Sequence, residues 1–269
     1  MNKPNIFKSS RFFMDAGDVL HILIKDLVGT GVTIGLNDGD GNEEDSEPIG
    51  FTTTLAPTTT VSTDLVDRDG NIYTTVIIGT QEWIVENFRS ATYADDSAIP
   101  NLTDDGDWIA DVTGAYCYYD NDEATYGSDY GIIYNWYAVD NAHGLAYLER
   151  GGIEEAGWRI PSSVELDALI TLLGGDGLAP GKLAEEGTSH WTVDNGQTNE
   201  SGFTLVGSGY RNGSDGTFGY IKTACYLWTS TEYSALSAWG RFIYNNTIDR
   251  DANNEIKQLG MVVRLVRDI

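Results

Sequence analysis

Hydrophobic and polar positions alternate in short runs along most of the chain, and only two stretches carry helical spacing. Near the start, residues 19–25 (VLHILIK) and 32–36 (VTIGL) read as two short strands separated by a glycine-containing turn. Residues 130–140 (YGIIYNWYAVD) place Ile132, Ile133, Trp136, Tyr137 and Val139 at helical intervals, which predicts a helix with a broad buried face. A second helix is predicted over 163–173. Ser162 and Glu165 have capping-box spacing, Leu166, Leu169, Ile170 and Leu173 form its apolar stripe, and Gly174 ends it. Turn signals at Asn199-Glu200-Ser201-Gly202, Asn212-Gly213 and Asp215-Gly216 then separate strands expected over 203–206, 218–221 and 226–229. Two more strands are expected over 238–244 and 260–266, the latter with Met261, Val263 and Leu265 alternating against Val262, Arg264 and Val266. Two helices followed by a glycine-rich β half, without internal repeats, give an α+β class.

The pattern divides the chain into three parts. Residues 1–50 hold the two early strands and are too few to fold alone without disulfides, so this β-rich segment is expected to dock or oligomerise. Residues 51–63 are rich in Thr and read as a linker, and residues 64–269 form the main domain. Asp38, Asp40 and Asn42 sit at the first positions of a calcium loop, but Glu43 stands where that loop needs glycine and no Glu follows at the twelfth place. A solvated acidic loop is the expectation there, and no cofactor is expected elsewhere.

Composition narrows the possible partners. With 16 basic and 41 acidic residues the formal charge is −25, which repels nucleic acid and anionic lipid and suits a glycan, a protein surface or cations. The first residues lack an apolar run and a small-residue cleavage site, so no signal peptide is read there, and no segment is long and apolar enough to span a membrane. Cys117 and Cys225 lack metal or redox spacing and are expected as buried free thiols. His21, His143 and His190 occur in unrelated contexts, and Ser230 is not in a nucleophile elbow, so no catalytic constellation is legible and no enzyme is expected.

Specific residues then point to a family. The run Asp67-Arg68-Asp69-Gly70-Asn71-Ile72-Tyr73 and the run Ile78 through Phe88 (IGTQEWIVENF) are followed in order by Gly114-Ala115-Tyr116-Cys117-Tyr118-Tyr119, Tyr134-Asn135-Trp136-Tyr137, Gly157-Trp158-Arg159-Ile160-Pro161, Asn199-Glu200-Ser201-Gly202-Phe203, Leu227-Trp228-Thr229-Ser230 and Gly260-Met261-Val262-Val263-Arg264-Leu265. Together they resemble the Fibrobacter succinogenes major paralogous domain. The resemblance implies a C-type-lectin-like fold, related to formylglycine-generating enzymes and to the displayed variable proteins of diversity-generating retroelements, phage receptor-binding tips among them. Where many such domains carry a cysteine pair, this chain has Glu154 and Leu265, so that bridge is not expected. Trp158 and Trp228 are expected in the core. The reactive cysteine pair or copper-thiolate site of the enzyme relatives has no counterpart unless Cys117 and Cys225 reach one cleft.

Binding is the function these residues favour. Tyr210, Asn212, Ser214, Asp215, Tyr220, Tyr233, Ser234, Trp239, Arg241, Tyr244, Asn245, Asn246, Asp249 and Asn253 crowd one late segment. Tyrosine offers rigid amphipathic area, and Asn, Ser and Asp offer adaptable hydrogen bonds. The same residues also dominate ordinary turns. The expectation is a phage head or tail fibre, a non-enzymatic homo-oligomer, trimeric by preference. Residues 1–50 would meet other virion proteins and the C-terminal domain a host-surface glycan or protein. A bacterial surface adhesin or lipoprotein, and a decoration protein without a ligand, are the alternatives.

Overall fold

Asp67 shows how the first turn is written. Its carboxylate accepts from the backbone N–H of Asp69 and of Asn71, from Asn71 Nδ2 and from the Tyr73 hydroxyl, at 2.7–2.9 Å. That knot closes the hairpin of β1 (Leu65–Val66) and β2 (Ile72–Tyr73), and Gly70 supplies the positive φ of 80° that the turn requires. The computed structural model describes residues 64–249 and 254–269. The expected early strands, His21, the acidic calcium-like stretch, the linker and Asn253 lie outside the described residues.

The next elements are β3 (Thr75–Ile78), β4 (Gln81–Ile84), α1 (Asp105–Ala110), β5 (Tyr116–Cys117), α2 (Glu123–Tyr130), β6 (Ile133–Tyr134) and α3 (Trp136–Val139). After them come β7 (Glu149–Arg150), β8 (Ile153–Glu154), α4 (Ser163–Leu172) and α5 (Ala179–Leu183). The β-rich half holds β9 (Ser208–Arg211), β10 (Phe218–Ile221), β11 (Ala224–Ser234), β12 (Ser237–Tyr244), β13 (Ile248–Asp249), β14 (Asn254–Ile256) and β15 (Val266–Asp268). The result is α+β and strand-rich, as the sequence pattern implies.

The largest sheet has the order β10-β9-β11-β12-β13, with β14 also on β12. A second sheet, β15-β4-β3, pairs Val266 with Trp83 and so ties the end of the chain to the beginning of the domain. Strand β11 runs through the middle of the core. Ala224, Tyr226 and Trp228 enter one hydrophobic cluster and Cys225 and Leu227 the other, so both faces of this strand are buried. The buried indoles of Trp228 and Trp136 donate to the carbonyls of Tyr134 and Thr229 at 3.0 and 2.9 Å, which welds β6 and α3 to β11.

Several expectations need correction. The apolar stretch 130–140 is not one helix. Gly131, at φ 79°, ends α2, β6 pairs with β5, and a new turn of helix starts where the Asn135 side chain accepts from the backbone of Ala138. Its apolar residues are buried all the same except Tyr137, which is half-buried, because a short strand inside a core is apolar on every side. Likewise 260–266 is not one strand, although its alternation is present, Met261, Val263 and Leu265 entering one core cluster and Val262 and Val266 the other. Met261 through Val266 are all buried, and only Val266 opens a regular strand, while Gly260, Met261 and Val262 form isolated bridges to Arg211, Tyr134 and Leu227. The 203–206 run forms a bridge at Leu205 rather than a strand. The expectation of two helices is also too few, since α1, α2 and α5 are short helices without a long apolar stripe. Three local expectations hold: the α4 capping box is present on both sides, β10 spans the expected residues, and Trp158 and Trp228 are core residues.

Candidate binding face

The late aromatic residues are positioned by strand parity. On β12, Phe242 faces the same core cluster as Trp228, and Tyr244 packs against it, while Ile243 faces the opposite cluster. Pairing of Tyr226 with Phe242 and of Ala224 with Tyr244 brings these rings side by side. Strand β9 adds Tyr210, and β10 adds Tyr220 through the pairing of Gly219 with Tyr210. The rings touch in sequence: Tyr220 to Tyr210 at 5.7 Å, Tyr210 to Tyr226 at 4.8 Å, Tyr226 to Phe242 at 4.3 Å between centroids. Burial, then the neighbouring phenols, push the Tyr226 and Tyr210 hydroxyls upward, so they stay neutral donors.

Tyr220 is the exposed end of this chain of rings, 48 % open to solvent. Its backbone sits at φ 63°, opposite Gly209 at φ 65°. A Cβ on Gly209 would stand 2.4 Å from the Gly219 carbonyl, so the glycine is what lets β9 and β10 close around the tyrosine. A left-handed tyrosine costs about 1 kcal/mol or more, and such strain persists only where the surrounding structure fixes it.

Sequence reading groups fourteen residues here, and the structure sorts them. Tyr233 and Trp239 form a separate T-shaped pair at 5.1 Å near the β11–β12 tip. Trp239 shares the parity of Arg241 and Ile243, so it lies across the sheet from Phe242 and Tyr244. Arg241 is buried and grips Asp167 of α4 with two bonds of 3.1 and 2.9 Å. Asn245 is buried too, donating to the Val193 carbonyl and accepting from Asn195. These two side chains are turned inward, because a hydrogen-bonded loop and a helix flank the strand end at the points where they stand. Asn212 and Asp215 close their own turn, accepting from the backbone of Ser214 and of Thr217. Asn246 is exposed, and of Asp249 only the backbone is described.

One residue of the face escapes sequence reasoning. Glu255, on β14, pairs with Ala238 and so shares the side of Phe242. Burial raises its carboxyl pKa, and its charge in turn helps raise that of Tyr210. A half-buried glutamate in an ordinary polar stretch leaves no sequence signal.

The remaining chemistry-bearing groups lie apart. Burial pushes the Cys117 thiol up to about 12 and the Cys225 thiol up to about 11, and neither is bonded to the other. His143 Nδ1 lies 2.5 Å from Asp95, and His190 lies 2.8 Å from Glu185 and 3.4 Å from Asp129. Among the described residues, no three His, Cys, Asp or Glu side chains converge where a metal ion could be held, and no helix is long and apolar enough to cross a membrane.

The domain is strand-rich α+β and carries a chain of tyrosines on one face of its largest sheet. The chain matches the model of the Fibrobacter succinogenes major domain over residues 76–267 and belongs to that family. No curated protein and no solved structure matches it.

Proposed function

We propose that the chain is a non-enzymatic, virion-displayed binding protein whose C-type-lectin-like domain holds a host-surface glycan or protein. The observation that carries this reading is the continuous row Tyr220, Tyr210, Tyr226 and Phe242, ending in a strained, exposed tyrosine, with the Glu255 carboxyl on the same sheet face near Tyr210. Stacked phenols offer apolar area with neutral hydroxyl donors at little entropic cost, and a half-buried carboxyl accepts from sugar or peptide donors. The lectin-like fold is supported by family membership and by helices α2 and α4 leading into an antiparallel β half. The absence of catalysis is supported by two thiols held protonated in the core. Display on a trimeric fibre through residues 1–50 rests on the size and composition of that segment alone.

The test is binding of the full chain to intact bacterial cells and to a glycan array, with and without calcium, beside Tyr220→Ser. Binding weakened about tenfold by the substitution supports the reading. A chain that binds neither cells nor glycans refutes it in favour of a purely structural decoration protein.

A further inference from the structure

A recess that shares no lining residue with the tyrosine row opens between the first hairpin turn and α2. It encloses about 530 Å³ and is lined by Asp69, Asn71, Arg89, Tyr116, Tyr118 and Glu123, with the backbone of α2 at Gly127 and Ser128. That volume falls within the range of small-molecule sites, about 300–1,000 Å³. Gly127 permits the close wall: a Cβ there would stand 3.2 Å from both Tyr118 Cε1 and Glu123 Cγ.

The chemistry of the walls is uneven. Tyr116 and Tyr118 meet at 89° with centroids 5.9 Å apart, a corner of two aromatic rings. The Tyr118 hydroxyl donates to Glu123 Oε1 at 3.0 Å, which fixes one ring and one carboxylate together and leaves Glu123 Oε2 facing away from that bond. Asp69 is held in place from the opposite side by Thr92 Oγ1, Ser90 Oγ and the Ala91 N–H, at 2.7, 3.0 and 2.5 Å. Arg89 is the one cation of the lining, and its two terminal nitrogens are engaged by the Ser128 and Ile72 carbonyls, both at 3.1 Å. Two of its five N–H groups are thereby turned to the backbone. Two carboxylates against one engaged guanidinium leave the recess net negative, in a chain of formal charge −25. Ring faces are negative as well.

We propose that this recess binds an organic cation, an alkylated ammonium group seated against the Tyr116 and Tyr118 rings with Glu123 and Asp69 as counter-charges. A quaternary or methylated ammonium has no tightly held water shell to lose and gains from both ring faces and both carboxylates. An anion meets two carboxylates and the aromatic ring faces against a single guanidinium. The site is independent of the tyrosine row, so either can stand without the other.

Titration calorimetry of the full chain with choline, and with its neutral isostere 3,3-dimethylbutan-1-ol, reads the charge requirement directly. Choline is expected to bind and the isostere to bind at least about tenfold more weakly. Glu123→Gln, at an exposed position that leaves the core untouched, is expected to weaken choline about fivefold or more. Tyr118→Leu should weaken it similarly, while Tyr220→Ser leaves it unchanged. Equal affinity for the isostere overturns the proposal. So does a Glu123→Gln chain that binds choline undiminished, a preference for neutral sugars over choline, or no heat from choline at millimolar concentration.

Discussion

The guanidinium of Arg264 donates to Asn87 Oδ1 at 2.7 Å from inside the core, and its other nitrogens reach the carbonyls of Ile84, Phe203 and Thr204, each at 3.1 Å. No carboxylate pairs with it among these partners. The charge is solvated by three backbone carbonyls and an amide oxygen, with the Phe203 ring 4.8 Å away, and burial lowers its pKa to about 10. One side chain thereby fastens β4, the loop before β9 and the final segment.

Arg264→Leu should cost at least about 3 kcal/mol, since it leaves several buried acceptors without a donor at about 1–3 kcal/mol each. Arg264→Lys, with a compact ammonium that cannot span the same four acceptors, should recover only part of that. Urea denaturation of the full chain reads both, and a loss below about 1 kcal/mol for the leucine variant would show that the network is not a fastening.

Arg241 makes a contrasting prediction, because its place in the late aromatic segment suggests a ligand contact whereas its geometry joins β12 to α4. Arg241→Leu should destabilise by about 2–4 kcal/mol, with Asp167→Asn strongly non-additive in a double-mutant cycle. Ligand affinity per folded molecule should be unchanged. An Arg241 variant of normal stability but reduced cell binding would return the residue to the site.

These two arginines show where the sequence is legible and where it stops. Capping at Ser162, the apolar stripe of α4, the hairpin turns and the burial of Trp158 and Trp228 follow from local rules, and each is present. The direction of Arg241 depends on a helix packed over 70 positions earlier in the chain, and that of Arg264 on the end of β4 with Asn87 just beyond it and on the loop before β9. No local pattern encodes either. The same holds for 130–140, where helical spacing and a buried strand look alike until Gly131 and Asn135 are recognised as a stop and a start. Tyr220 and Tyr210 were visible as residue types, but their contact through Tyr226, and the addition of Glu255, come only from strand register.

Cys117 and Cys225 should be inert to a thiol reagent in the native protein and both react once it unfolds. Burial holds each thiol well above neutral pH, so almost no thiolate is present, and the reagent has no path to the sulfur. Ellman's reagent with and without denaturant counts them. Rapid modification of either thiol in the native chain would contradict the packing around it.

Glu255 predicts the sign of a pH effect. Its folded pKa is raised, so between the ordinary glutamate value and the raised one the folded state holds the proton more tightly than the unfolded state. Its contribution to stability is therefore fully present at acid pH and falls as pH rises through that window. Glu255→Gln should stabilise the domain at pH 7 and flatten this part of the pH profile, measured as denaturation midpoints from pH 4 to pH 8. A variant less stable than the parent at pH 7 would mean that the ionised carboxylate is held by a favourable partner.

Tyr220 separates binding from folding most sharply. Replacing it with glycine relieves a left-handed backbone at φ 63°, a gain of about 1 kcal/mol, while losing ring contacts to Tyr210 and Tyr226 of similar size. The stability of Tyr220→Gly should therefore stay within about 1 kcal/mol of the parent. Its binding to cells or glycans should fall about tenfold, because the exposed ring at the end of the row is gone. Loss of stability without loss of binding would make Tyr220 a packing residue of the β9–β10 hairpin. Loss of binding at unchanged stability would mean that the strain at this position is maintained for recognition.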